Sequence, residues 1–121
     1  MPKQQLEPFV YRNVTVIRIV DGDTIECMVD LGFKTRFQDN FRLSGIDTPE
    51  RGKPGFYEAS EYLDSLLKKE NYKIELETLR RDKYGRWLAD ARSLTTGASF
   101  NTQMVTEGHA VPYLIGKKKT T

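Results

Sequence analysis

The stretch from Val14 to Leu31, VTVIRIVDGDTIECMVDL, decides what kind of fold this chain adopts. Its first half, VTVIRIVD, is dense in β-branched residues, whose crowded Cβ suits an extended backbone better than a helix. Its second half alternates Ile25, Cys27, Val29 and Leu31 with Glu26, Met28 and Asp30, the period of a strand with one face in a core. Gly22 marks a tight turn between them, so the two halves read as a strand pair. A third strand follows over about 36–45, after the turn signal at Gly32, and completes a three-stranded meander.

Beyond Gly55 the period changes. Phe56, Ala59, Leu63, Leu66 and Leu67 fall on one face of a helix that ends near Asn71, with Glu58, Glu61, Lys68 and Lys69 elsewhere. Alternation returns in YKIELETL (72–79) and in WLADARSL (87–94), on either side of the loop RRDKYGR. Ser99 is placed to cap a short helix carrying Phe100, Met104 and Val105 up to Gly108. This order predicts a mainly β fold with helices (α+β): a five-stranded barrel of the OB type, with a helix between strands three and four and a short helix after strand five. A plain α+β sandwich is the alternative. The chain divides into an N-terminal extension (1–11), one domain (12–116) and a basic tail (117–121) whose Lys117, Lys118 and Lys119 read as a solvated end.

At 121 residues there is room for one core and not for two. With 38% hydrophobic and 30% charged residues the composition is that of an ordinary globular protein, and the net charge of +2 permits a polyanionic partner without requiring one. Cys27 is the only cysteine, which excludes an internal disulfide and leaves no zinc motif, so it reads as a small core residue. The amino end lacks the apolar run of an export signal and no segment is apolar enough to span a membrane. The expectation is a monomer without a membrane, cytoplasmic in a microbe or virus-infected host, or secreted after removal of an unseen signal.

Three short strings carry chemistry: DGDT at 21–24, RLSGIDTPE at 42–50 and DKYGR at 82–86. Each alone passes for a polar turn. Together they sit at strand ends, which in a small barrel converge on one rim. Two carboxylates brought together there repel unless something positive lies between them, and Asp23 and Asp47 as oxygen donors suit a hard cation such as calcium or magnesium, with a neighbouring backbone carbonyl as third ligand. Arg42 and Arg86 offer planar forks of donors for phosphate oxygens, and Glu50 is a spare carboxylate. That combination suits in-line attack of water on phosphorus. Arg80, Arg81 and Lys83 add a basic run beside Arg86, attractive to a polyanion. Tyr84 and Tyr113 are the better candidates for stacking a base, Trp87 reads as core, and His109, after Gly108 at a helix end, reads as solvated or capping.

The strings DGDT, FRLSGIDTPE, DKYGRWLA and NTQMVTEGHA resemble, in order and spacing, those of the staphylococcal nuclease (thermonuclease) family, over about residues 12–113. The resemblance implies an OB-fold barrel and a calcium-dependent endonuclease that cleaves DNA and RNA at the bond to the 5′ oxygen and leaves 3′-phosphate ends. It assigns Asp23, Asp47 and the carbonyl of Thr48 to calcium, with Asp21 near the metal. It assigns Arg42 and Arg86 to the phosphate, Glu50 to the general base, and Lys83, Tyr84 and Tyr113 to the nucleotide. Between DGDT and FRL this chain has several more residues than the best-known member, which predicts a longer hairpin through DLGFKTRFQDN. The rival reading is a non-catalytic OB-fold module that binds single-stranded nucleic acid or serves in interactions. Asp21, Asp23, Asp47 and Glu50 speak against it, because acids in the binding groove would repel the phosphate backbone.

Overall fold

The computed structural model describes residues 8–113, so the tail at 117–121 and the last residues of the 12–116 domain lie outside the described residues. Strands β1 (Phe9–Asp21), β2 (Thr24–Gly32) and β3 (Thr35–Leu43) form the expected meander. They are followed by β4 (Ile46–Asp47), α1 (Phe56–Lys69), β5 (Lys73–Arg81), β6 (Trp87–Ser93), α2 (Phe100–Thr106) and β7 (Val111–Pro112). β1 begins at Phe9, inside the stretch 1–11 read as an extension, and there Phe9, Val10 and Tyr11 pair with Thr78, Glu77 and Leu76 of β5.

Five of these strands close a barrel in the order β1-β2-β3-β6-β5, with β5 pairing back onto β1. The architecture is the mainly β, OB-type barrel expected, with α1 between its third and fourth strands and α2 after its fifth. Its interior is filled by alternate residues of each strand, among them Val14, Ile25, Cys27, Phe41, Leu76 and Ala91. Burial pushes the Cys27 thiol up to about 12, which fits an inert core residue. The apolar face of α1 adds Ala59, Leu63, Leu66 and Leu67 to the same core. Each large side chain buried in this way stabilises the fold by about 1.5–3 kcal/mol. In α2 the Ser99 hydroxyl accepts from the Thr102 N–H at 3.2 Å, capping the helix as its sequence predicts.

The barrel closes through its one parallel pair, β3 with β6, where Phe41, Arg42 and Leu43 stand beside Trp87, Leu88 and Ala89. Side chains alternate across a strand, so Phe41, Leu43, Trp87 and Ala89 face the core while Arg42 and Leu88 share the opposite face. That register brings the end of the strand that carries Arg42 beside the start of β6, which Arg86 immediately precedes.

Candidate active site

The DGDT turn is shaped by what passes beside it. Gly22 has no positive φ. A Cβ there would lie 2.9 Å from Ala59 Cβ and 3.0 Å from Thr48 Oγ1, so a glycine is needed for the turn to lie against α1 and the segment after β4. This close approach brings Asp23 against Thr48. Asp23 is 8% exposed, and its Oδ2 accepts the Thr48 N–H at 3.1 Å while its Oδ1 accepts the Thr24 hydroxyl at 3.2 Å. Its carbonyl accepts the Leu43 N–H at 2.7 Å, which locks the turn to the end of β3. Asp21 Oδ1 in turn accepts the Asp23 N–H at 3.2 Å.

The two aspartates are driven apart in acidity. Burial, then the hydrogen bond and negative charge of Asp23, pushes the Asp21 carboxyl up to about 6. Burial opposes ionisation of Asp23 as well, but the Asp21 side chain, the Arg42 guanidinium and the Thr48 N–H outweigh it and hold Asp23 below the usual carboxylate range.

Arg42 is the joint of the site. It is 8% exposed, its Nη1 lies 3.1 Å from Asp23 Oδ2 and donates to the Leu43 carbonyl at 3.3 Å, and its Nη2 reaches Asp47 Oδ1 at 3.4 Å. One guanidinium thus ties the β1–β2 turn, the end of β3 and the short strand β4 together. Asp47, with 44% of its side chain exposed, opens the cluster to solvent. It is positioned by β7, which pairs Val111 with Asp47 and Pro112 with Ile46. The Tyr113 N–H extends this small sheet by donating to the Gly45 carbonyl at 2.8 Å. Two-residue strands, one containing a proline, leave no periodic signal in the sequence, so this sheet was not legible there.

A second group stands on the β5–β6 loop and is organised by Asp82. Asp82 Oδ1 accepts the backbone N–H groups of Tyr84 and Arg86, both at 2.9 Å, and its Oδ2 takes Arg86 Nε and Nη2, both at 2.8 Å. These donors and the Arg86 charge outweigh burial and hold the Asp82 carboxyl low. Asp82 is the site residue that sequence reasoning missed, although an aspartate four residues before an arginine and ahead of a glycine turn is a signal for this Asx geometry. The Tyr84 ring is 71% exposed, with Lys83 Nζ 5.3 Å and Arg86 Cζ 5.4 Å from its centroid.

Arg86 immediately precedes β6, whose first residue Trp87 pairs with Phe41 and whose Leu88 pairs with Arg42. Asp21, Asp23, Arg42, Asp47 and Thr48 are therefore joined directly. Lys83, Tyr84 and Arg86 form a separate group about Asp82 and the Tyr84 ring. Glu50 is exposed, and its place beside the first group follows from the chain, two residues on from Thr48. Trp87 packs on the core beneath the Arg81 guanidinium, 4.6 Å from its centroid. His109 stacks on Tyr62 at 4.7 Å and donates its backbone N–H to the Met104 carbonyl, a capping role at the end of α2.

The chain is similar to curated nucleases. A thermonuclease of Staphylococcus hyicus is 40% identical over 80 residues, which is 61% of this chain and 44% of that protein. A thermonuclease of Staphylococcus intermedius is 33% identical over 106 residues, 78% of this chain and 56% of that one. Endonuclease YncB of Bacillus subtilis is 35% identical over 105 residues, 81% and 46%. The chain spans about half the length of these curated relatives. The family model for the staphylococcal nuclease homologue matches residues 40–121, which take in Arg42, Asp47, Thr48, Glu50 and the whole Asp82 loop; the chain belongs to that family.

Proposed function

We propose that this domain is a calcium-dependent endonuclease that hydrolyses DNA and RNA, single strands preferred, acts as a monomer and leaves 3′-phosphate ends. The observation that carries the reading is Arg42, a buried guanidinium held between Asp23 and Asp47 on the barrel rim. Its planar fork meets oxygen acceptors on two sides and is pre-set for the oxygens of a phosphodiester.

The donor set fits a hard cation. Asp21, Asp23 and Asp47 offer only oxygen, and Asp47 is open to solvent. Among the described residues no group of three His, Cys, Asp or Glu side chains forms a ready-made metal cluster. Asp23, Asp47 and the Thr48 carbonyl would hold the ion, with waters and phosphate completing its shell. When bound, calcium supplies positive charge to the phosphate oxygens and to the carboxylates that hold it. Arg42 and Arg86 grip the remaining phosphate oxygens and stabilise the charge that builds as phosphorus becomes five-coordinate. Glu50 takes the proton of the attacking water as its oxygen bonds to phosphorus, and the bond to the 5′ oxygen breaks, that oxygen leaving as a hydroxyl with a proton from solvent. Lys83, Tyr84 and Tyr113 hold the flanking nucleotide.

The test is incubation of the purified chain with circular single-stranded DNA and with RNA, in calcium, magnesium or excess chelator. Linearisation in calcium alone is expected, because circular substrate is cut only by an endonuclease. Binding without cutting under every divalent ion refutes the reading in favour of a binding module.

A further inference from the structure

The β2–β3 hairpin runs out of the barrel as an arm. Pairing of β1 with β2 ends at Val29, whose partner on β3 is Phe37, so Asp30 to Arg36 pair only with each other, beyond the last residues that β1 covers. At the tip, Gly32 and Thr35 pair across a two-residue turn in which Phe33 and Lys34 have φ of 55° and 60°. Turns that need positive φ at both central residues select Asn-Gly, because a side chain in that region crowds its own backbone. Tyr72, at φ 59°, offsets the same strain by packing on the core and bonding Asp64. Phe33 is 99% exposed and has no packing to offset it.

The side chains around the tip share a character. Leu31 and Phe37 are 43% and 40% exposed, and Lys34 and Arg36 are the only charged residues from Leu31 to Gln38. An exposed ring beside two cations is the pairing that holds a single nucleic-acid strand, with a base on the ring and phosphates on the cations. A lipid surface would call for a broader apolar face than one ring and two half-covered side chains. The tip lies eight residues along β3 from Arg42, about 26 Å at the rise of a strand, or roughly eight stacked nucleotides.

We propose that the Phe33–Lys34 tip of this arm is a second, remote contact for a single-stranded nucleic acid whose scissile bond lies at Arg42. This rests on the nuclease reading of the site. A strand long enough to reach both places gains the ring and the cations as an anchor; a strand too short to leave the site does not.

The test uses the full chain with Phe33→Asn and Lys34→Gly, residues that adopt left-handed backbone readily, so neither variant sacrifices folding. Steady-state cleavage is measured on a 3-nucleotide and a 30-nucleotide oligothymidine. The expected result is a KM for the long strand raised roughly tenfold, the loss of about one base-stacking contact, with kcat and all constants for the short strand unchanged. Unchanged constants on the long strand, or equal losses on both, overturn the proposal. If the wild type cuts neither strand, the nuclease reading fails separately. Fluorescence anisotropy of the long strand then tests the arm alone: tenfold weaker binding by Phe33→Asn supports it and equal binding overturns it. Phe33-dependent pelleting with phosphatidylserine vesicles, alongside unchanged oligonucleotide binding, also overturns it and assigns the tip to a lipid surface.

Discussion

Gly22→Ala tests whether the barrel helix and the acidic turn are one mechanical unit. The added methyl would sit 2.9 Å from Ala59 Cβ, 3.0 Å from Thr48 Oγ1 and 3.2 Å from Thr48 Cβ. Ala59 is buried on α1 and its methyl has no rotamer by which to escape, so the turn, the helix or Thr48 must shift. Overpacking of this kind costs about 2 kcal/mol. The same movement draws the Thr48 N–H away from Asp23 Oδ2 and should lower turnover as well. Ala59→Gly alone should cost about 1 kcal/mol through helix propensity, but in the double variant it removes the worst contact. The double variant should therefore be about 1 kcal/mol more stable than the sum of the single losses requires. Urea unfolding followed through Trp87, the only tryptophan, gives all four stabilities. A Gly22→Ala variant within 0.5 kcal/mol of wild type, or strict additivity in the double variant, would refute the reasoning.

Arg42→Lys keeps the charge but cannot reach Asp23 and Asp47 at once, so single-turnover cleavage should slow by about two orders of magnitude while DNA affinity falls less; equal rates would move the phosphate site elsewhere. Glu50→Gln keeps size and loses the base, and should lower turnover with little loss of binding by anisotropy. Asp47→Ala should weaken calcium binding in calorimetry, and an unchanged affinity would remove Asp47 from the ion. Asp82→Asn keeps an acceptor for the two backbone N–H groups but loses the charge opposite Arg86, costing about 1 kcal/mol at pH 7. Because folding lowers the Asp82 pKa from its ordinary 3.8, its contribution is present above that value and disappears as pH falls through the folded value. The stability gap between wild type and Asp82→Asn should accordingly close in acid, and a gap that widens there would contradict the assignment.

The barrel was legible because its elements carry strong periods. Ile25, Cys27 and Val29 alternate cleanly and are buried, and the face of α1 was found residue by residue, since burial is what the period encodes. Where contact lies between distant segments, sequence offers less. Gly22 looked like a turn glycine chosen for backbone freedom, whereas it is fixed by Ala59 and Thr48, which no local pattern announces. The Asp82 fork was written in DKYGR, yet an aspartate in a polar loop has many uses, and only the geometry singles out this one. Phe33 lies in the hairpin that DLGFKTRFQDN announces, but neither its full exposure nor its left-handed backbone can be read from a string of letters.

The charge balance of the rim explains why such a cluster persists in so small a fold. Asp23 and Asp47 share a single guanidinium and Asp21 stands against Asp23, three acids to one base, and Asp23 and Arg42 are both buried. Desolvating such a pair costs several kcal/mol per ion, and an apolar pair of the same volume is often as stable or more so. Selection for stability alone would favour that replacement, since Phe41, Leu43 and Ile46 already surround Arg42 in the chain with buried apolar side chains. What the apolar pair would lack is an arginine fork beside open carboxylate oxygens at the barrel rim. On the proposed reading, a bound cation would relieve the excess of acid and draw Asp23 and Asp47 to itself, which would free the Arg42 fork they now hold for a phosphate that arrives with the cation.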